Sequence, residues 1–227
     1  MSDDLARLDR DGALAEALGP LGPATRRRVL RTLAAAGLIG AAGPAAVGGG
    51  TAAAATEPQG DIAILNYALT LEYLQSAFYT EVERIGSLTG ETARLARIVG
   101  GHERTHVRML LDVLGRRAVA KPTFDFHGAT DSQNAFVRTA VAFEDLGVAA
   151  YKGQAPRIAS PAYLEAALAI HATEARHAAW IRRIAGILPA QSAFDQPASA
   201  THVVSVVDST HFIVGRTQAA GMPGFTG

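Results

Sequence analysis

The chain has 227 residues, of which 48% are hydrophobic and 19% charged, and its formal net charge at pH 7 is zero. This length is sufficient to bury one core, and the balanced charge, with no basic stripe of interleaved aromatics, argues against a nucleic-acid partner. The absence of cysteine excludes disulfides, thiolate metal ligands and lipid attachment through an N-terminal cysteine.

Residues 1–55 have the composition of an export signal. A basic run at 25–31 precedes an apolar stretch rich in Ala and Gly at 32–47, and three alanines then offer a small-residue cleavage site. The run resembles a twin-arginine signal, with Arg26-Arg27 or Arg27-Arg28 as the pair. This resemblance implies export by the twin-arginine translocase to a periplasmic or extracellular location.

Two alternatives to a cleaved signal remain for the same segment. A transmembrane anchor is disfavoured because the apolar stretch falls short of the roughly 20 strongly apolar residues that a spanning helix needs. A signal that is not cleaved would leave the protein tethered to the membrane.

Hydrophobic periodicity predicts four long helices between residues 56 and 188. Asp61 is expected to cap the first helix, Asp131 or Ser132 the third, and Ser160 with Pro161 the fourth, while Gly86 and Gly115 end the first two. The predicted helices are Gly60 to about Ile85, Leu88 to about Leu114, Asp131 to about Lys152, and Ser160 to about Ala185.

The connections favour an all-α four-helix bundle. Residues Arg116 to Thr130 form a long crossover between the second and third helices, and the other two connections are short, as antiparallel neighbours require. Residues 189–227 are predicted to form an extended, irregular tail that packs on the bundle through two apolar runs, at 203–207 and 211–214. This tail could form a hairpin, close one end of the bundle or contact a second copy.

The pattern that indicates function is a pair of Glu-x-x-His motifs, Glu103 with His106 and Glu174 with His177. Each motif follows a lone glutamate, Glu72 or Glu144, by about thirty residues. Residues three apart share a helix face, so each motif can present a carboxylate and an imidazole to the same place. Four carboxylates neutralise two divalent cations, and the sequence therefore predicts a buried two-metal site.

An internal repeat supports this interpretation. Glu, Leu, Ala and Tyr recur at the same spacing in the segments that begin at Glu72 and at Glu144. Tyr79 and Tyr151 each lie seven residues after the lone glutamate, which is two helical turns and hence the same face. The two tyrosines are either hydrogen-bonded to metal ligands and candidates for a catalytic role, or core aromatics without one.

Other candidate residues break the repeat. His102 and His171 have Thr173 and Gly100 as their repeat counterparts, so they are interpreted as capping or surface histidines. Glu83 shares a face with Glu72 and could guide cations inward, but a solvated helix end is the simpler interpretation.

These motifs resemble those of the ferritin-like di-iron and di-manganese carboxylate proteins. More narrowly, the chain resembles exported, desiccation-related members of that group. The resemblance implies two iron or manganese ions, and it places Tyr79 at the position of a near-site tyrosine in bacterioferritin-like proteins. It also implies a role for each ligand. Glu103 and Glu174 would bridge the two metals, His106 and His177 would each bind one metal, and Glu72 and Glu144 would be terminal ligands.

The resemblance implies redox chemistry on dioxygen or peroxide, of a ferroxidase or catalase-like kind. The alternative is a non-enzymatic stress protein whose metal centre is structural or sequesters ions, with folding that depends on the metal. A scaffold without metal and an iron-storage cage are both disfavoured. A homodimer is the default oligomeric expectation.

Overall fold

The structure, a computed structural model, describes residues 59–214. Four long helices follow one another as predicted, and a fifth, shorter helix comes after them. The predicted all-α fold is confirmed, with boundaries that differ by only a few residues from those expected. The predicted export signal and its alternatives lie outside the described residues. The helices are α1 (Gln59–Ile85), α2 (Gly90–Leu114), α3 (Gln133–Gln154), α4 (Pro161–Ile184) and α5 (Ala200–Thr210).

Serine side chains begin α3 and α4 as the sequence predicts. The Ser132 hydroxyl accepts the backbone N–H of Ala135 at 3.3 Å, and the Ser160 hydroxyl accepts that of Tyr163 at 3.4 Å. Each bond satisfies one of the amides that a helix N-terminus leaves without a partner.

Asp61 has a different role from the one predicted. It lies within the first turn of α1, and its carboxylate accepts the backbone N–H groups of Ala159 at 2.9 Å and Ser160 at 2.8 Å. The expected cap of α1 is therefore wrong, and Asp61 instead fixes the segment that leads into α4. Because Asp61 is almost fully buried, its charge needs these two donors.

The helices form two pairs, α1 with α2 and α3 with α4, which are the most extensive contacts between elements. Residues 86–89 join the first pair, and residues 155–160, which include a 3-10 turn at Ala155–Arg157, join the second. Connections this short bring consecutive helices together as antiparallel neighbours. Within residues 59–214, no helix is both long and apolar enough to cross a bilayer.

The long crossover between α2 and α3 is fixed to α1 at both ends. After a 3-10 turn at Gly115–Arg117, the Asn66 side chain accepts the N–H of Val119 at 2.8 Å and donates to the carbonyl of Arg117 at 3.0 Å. Near its far end, the Thr130 hydroxyl donates to the Glu81 carboxylate at 2.7 Å. The two Asn66 bonds satisfy backbone groups of the crossover, and the Thr130 bond joins its far end to α1.

The described part of the predicted C-terminal tail, residues 189–214, contains a helix where the sequence predicts an extended segment, and residues 215–227 lie outside the described residues. Residues Ala200–Thr210 form α5, which Ser199 caps by accepting the N–H of His202 at 3.2 Å. Val203 and Val207 are buried, and their spacing of four residues puts both on the face that packs on the bundle. The valine-rich run favours a strand by propensity, but packing against the bundle overrides that preference.

A two-stranded sheet joins the crossover to the end of the described chain. Strand β1 (Thr123–Phe124) pairs antiparallel with β2 (Ile213–Val214), so that Thr123 is opposite Val214 and Phe124 is opposite Ile213. The apolar run at 211–214 therefore contacts the crossover rather than forming a hairpin with residues 203–207.

The core is divided into two clusters along the bundle axis. One contains the second half of α1 and the first half of α2, with a group of aromatic rings around Phe78, whose ring stacks on that of Phe136 with centroids 5.3 Å apart. The other contains the first half of α1 and the second half of α2, including Leu69 and Leu110. The residues of α1 and α2 at the boundary between these clusters include Glu72 and Glu103.

Candidate metal centre

Each of the four long helices contributes one glutamate to the middle of the bundle. Glu72 on α1, Glu103 on α2, Glu144 on α3 and Glu174 on α4 have 0% exposure. Burying a carboxylate is costly unless a charge or a hydrogen bond compensates it. Four such groups in one place therefore require protons or cations.

The glutamates and the two motif histidines form two overlapping groups. Within each group, one ligand atom from every residue lies within 4.8 Å of the others. Donors about 2.1 Å from one ion lie about 3.0 Å apart at right angles and about 4.2 Å apart across it, so each group can surround one cation. Glu103 and Glu174 belong to both groups. The groups are Glu72, Glu103, His106 and Glu174, and Glu103, Glu144, Glu174 and His177.

The structure therefore brings together all six residues that the sequence selects as metal ligands. It also places Glu103 and Glu174, the two expected to bridge, at the positions shared by both groups.

Both histidines direct Nδ1 towards the carboxylates. His106 Nδ1 lies 3.3 Å from Glu72 Oε2 and 3.4 Å from Glu103 Oε2. His177 Nδ1 lies 3.1 Å from Glu103 Oε1 and 3.4 Å from Glu144 Oε2. Nδ1 is therefore the nitrogen of each ring that would bind a metal.

Several buried polar atoms of the centre have no hydrogen-bond partner, although they lie at ion-pair distances from one another. Such atoms are rare in folded proteins. Their nitrogen and oxygen donor set fits a divalent transition metal, because a cation would satisfy all of them together. The atoms are both carboxylate oxygens of Glu103, Oε2 of Glu144, Oε1 of Glu174 and Nδ1 of His177.

Burial and neighbouring charges shift the ionisation of these groups. Burial and the adjacent Glu103 carboxylate raise the pKa of Glu72 to about 7, and burial also raises that of Glu174 to about 7. For the histidines burial acts in the opposite direction, but the carboxylates prevail, raising the pKa of His177 to about 10 and that of His106 well above its usual range. Without metal, protons would therefore offset part of the buried negative charge.

Two tyrosines donate to glutamates of the opposite helix pair. The Tyr79 hydroxyl on α1 lies 2.5 Å from Glu144 Oε1, and the Tyr151 hydroxyl on α3 lies 2.5 Å from Glu72 Oε1. Both tyrosine hydroxyls therefore bond to a candidate ligand, whereas a catalytic role for either tyrosine stays a prediction. Burial and the adjacent glutamate raise the pKa of both hydroxyls well above the usual value, so both remain donors.

Gln75 and Gly147 occupy equivalent places in the repeat but differ in what they contact. Gln75 Nε2 lies 3.4 Å from Glu174 Oε2. A Cβ at position 147 would lie 2.8 Å from the same oxygen, so only glycine leaves the Glu174 carboxylate in place. Sequence reasoning missed both residues, although the mismatch in the repeat was visible.

His102 is exposed, as the surface interpretation expects, yet it also reaches the centre. Its Nδ1 lies 2.8 Å from Nε2 of His177, and the two rings stack with centroids 5.1 Å apart. Partial burial and the nearby His177 lower the pKa of His102 to about 4. Its spacing of four residues from His106 placed it on the ligand face of α2, which is the signal that could have identified it.

The remaining candidates lie outside the centre. His171 belongs to neither group. Glu83 pairs with Arg104 at 3.1 Å, and Arg104 also donates to the Thr80 hydroxyl at 3.2 Å. Glu83 is therefore engaged in a partly exposed ion pair, in agreement with a solvated helix end.

Comparison with protein-family models gives a match over the helical bundle. The family model described as "Ferritin-like domain" matches residues 60–186, which is more than half of the chain and contains all six candidate ligands. A search of curated protein sequences finds no match.

Proposed function

Because the chain belongs to the ferritin-like domain family, we propose that it is an exported protein that binds two iron or manganese ions and uses them on dioxygen or peroxide. The observation that carries this proposal is that Glu103 and Glu174 are shared by two buried ligand groups. Two carboxylates common to adjacent groups are what a dinuclear centre requires.

Charge supports two divalent ions rather than one. The four buried glutamates, when ionised, carry four negative charges, and two divalent cations neutralise them, which allows the loaded centre to remain in the core. Carboxylate and imidazole donors suit iron and manganese, although copper and zinc bind such ligands more tightly. A pair of iron or manganese ions would supply redox chemistry to a small oxidant.

Small cavities lie beside residues that contact the candidate ligands. One cavity is lined by Tyr151, which donates to Glu72, and another by Gln75, which contacts Glu174, together with Gly147. Each has room for about one water-sized molecule. Their other lining residues are mostly apolar, for example Leu71, which borders both. This favours dioxygen or peroxide over a larger substrate. Ferroxidase and catalase-like cycles both agree with such access.

The protein's own groups would hold protons and ligands during the reaction. Tyr79 and Tyr151 remain protonated and orient Glu144 and Glu72 from the opposite helix pair. The aromatic cluster around Phe78 adjoins Tyr79, with ring centroids 5.6 Å apart, and excludes water from that side of the centre. The tyrosines thus preorganise two terminal ligands rather than supply the electrons.

Export is proposed from the sequence of residues 1–55. The twin-arginine route moves folded proteins, so metal could be selected in the cytoplasm, before the protein meets copper or zinc outside. We place the protein in the periplasm or outside the cell, in an exported and desiccation-related branch of its family, with a homodimer as the default assembly.

The deciding experiment is elemental analysis of the full chain purified from its own cell envelope without chelator, followed by assays of oxygen and peroxide consumption. We expect about two iron or manganese ions per chain and turnover of one oxidant. Glu103→Ala combined with Glu174→Ala should remove tight binding, whereas Glu165→Gln, at an exposed position of α4, should retain it. Full metal occupancy in the double variant would refute the ligand assignment.

A second candidate function is a metal-binding stress protein without turnover. It is favoured by the complete burial of the four glutamates, because metal would then stabilise the folded bundle directly. The same assays distinguish it, since full occupancy without consumption of oxygen or peroxide would select this candidate.

A further inference from the structure

We propose that His102 is a positioning residue for His177 and that it makes the two metal positions unequal, with tighter binding at the position that includes His177. This inference rests on the proposed dimetal function. It concerns how the chain's own residues support the ligands.

The arrangement of the His177 ring leads to this assignment. Its Nδ1 faces the Glu103 and Glu144 carboxylates at 3.1 Å and 3.4 Å, so the tautomer that can bind a metal through Nδ1 carries its proton on Nε2. That nitrogen lies 2.8 Å from His102 Nδ1, which can accept the proton's hydrogen bond. His102 thereby fixes both the tautomer and the rotation of the ring.

The repeat supplies His106 with no equivalent partner. Thr173 stands at the counterpart of His102, but its hydroxyl donates to the carbonyl of Ala169 on its own helix at 3.2 Å. The His106 side chain is also more exposed than that of His177, at 11% against 4%. The position at His106 is therefore the less constrained of the two.

The carboxylates of the two motifs also differ in outside support, and again the residue on α4 is the better supported. Gln75 contacts Glu174 Oε2 at 3.4 Å, whereas neither oxygen of Glu103 has a hydrogen-bond partner. Both motif ligands on α4 are thus supported from outside the centre, and Glu103 on α2 is not. Glu174 belongs to both groups, so its support affects both metal positions alike. His102 supports only the position that includes His177, and it therefore makes the affinities of the two positions differ.

The test is a titration of the full chain, freed of metal, with Co²⁺, followed by visible absorption and calorimetry. The unmodified protein should bind two ions in two distinguishable steps. His102→Phe keeps a stacked ring but removes the acceptor, and it should weaken the tighter step about tenfold. His102→Asn returns an acceptor close to the position of Nδ1 and should restore much of the loss.

Thr173→Val is the matched control because it changes the repeat counterpart and should leave both steps unchanged. In the Co²⁺-loaded protein, the shifted ring N–H resonance of His177 should exchange with solvent faster after His102→Phe, while that of His106 keeps its rate. A general loss of packing would not separate the two rings in this way.

The outcomes distinguish the inference from the proposed function. If the unmodified chain binds no Co²⁺, the dimetal function itself fails. If it binds two ions and His102→Phe changes neither step, or weakens both equally, the function stands and the inequality of the two positions is overturned.

Discussion

Tyr79 donates its hydrogen bond to Glu144, on the opposite helix pair, and not to Glu72 on its own helix. Tyr151 does the reverse, donating to Glu72. The two bonds cross between the helix pairs and link them through the candidate ligands. Each half of the repeat therefore orients a candidate ligand of the other half.

This crossing predicts the effect of removing a hydroxyl. Tyr79→Phe leaves a buried oxygen of Glu144 without its donor, and we expect the free energy of unfolding to fall by about 1–3 kcal/mol. Urea denaturation of the full chain measures the change. Tyr73→Phe, at a buried tyrosine of the same helix that lies outside both ligand groups, should change stability by less. Equal effects of the two substitutions would contradict a specific role for the bond.

The ionisation of the centre predicts how the stability of the metal-free protein depends on pH. Glu72 and Glu174 have pKa values near 7 in the folded state, above the usual value of 4.5, and His177 has one near 10, above 6.5. Folded chains then hold more protons than unfolded chains between about pH 4.5 and pH 10. The stabilisation from these groups is present at the acidic end of that window and is lost as pH rises.

Glu72→Gln imitates the protonated carboxyl and therefore tests whether stability falls as pH rises. The metal-free variant should be more stable than the unmodified chain at about pH 8, with a smaller loss of stability between about pH 5 and pH 8. Chemical denaturation at several pH values gives the two slopes. Glu165→Gln, at an exposed position, should follow the unmodified chain, and coinciding slopes for all three proteins would show that Glu72 does not titrate as described.

A substitution at Gly147 is expected to change metal affinity and helix stability in opposite directions. Gly147→Ala adds a Cβ 2.8 Å from Glu174 Oε2, so this carboxylate must move. We expect metal affinity to fall by about tenfold, although alanine by itself favours the helix by up to about 1 kcal/mol. Competition with a coloured chelator reports the affinity.

Gly101→Ala is the matched control, since a Cβ there meets nothing within 4 Å on α2. It should gain the same helix propensity and keep its metal affinity. A similar affinity in the two alanine variants would mean that the space at Gly147 is not needed by the ligands.

The features that the sequence predicts well are those determined by helical periodicity. The face shared by Glu103 and His106 follows from their spacing alone, and so does the placement of Tyr79 two turns after Glu72. The contact of Tyr79 with Glu144 depends on how the two helix pairs pack. Residue spacing along a single helix cannot predict that packing.

Two errors have different physical origins. Residues 203–207 form a helix because Val203 and Val207 find an apolar surface on the bundle, and tertiary packing outweighs the strand preference of valine. The repeat indicates a surface role for His102 because its counterpart, Thr173, is not a histidine. The repeat relates the candidate ligands of the two halves, but outer contacts such as that of His102 with His177 differ between the halves.

The docking of α5 predicts the effect of a substitution at Gly153. The segment before α5 crosses α3 there, where Ala198 donates its N–H to the carbonyl of Ala149 at 2.9 Å. A Cβ at position 153 would overlap the Ala198 carbonyl, which is backbone and has little freedom to move aside. Gly153→Ala should therefore displace this segment and expose Val203 and Val207.

Exposing two buried valines costs about 3–6 kcal/mol if α5 detaches completely, and less if the segment shifts without leaving the bundle. Hydrogen exchange should show faster exchange in Ala200–Thr210 and a smaller change in α1, because the most extensive helix contact of α5 is with α3. Gly101→Ala again provides the control at an open position. Unchanged protection of α5 in Gly153→Ala would show that the crossing at Ala198 does not hold the helix in place.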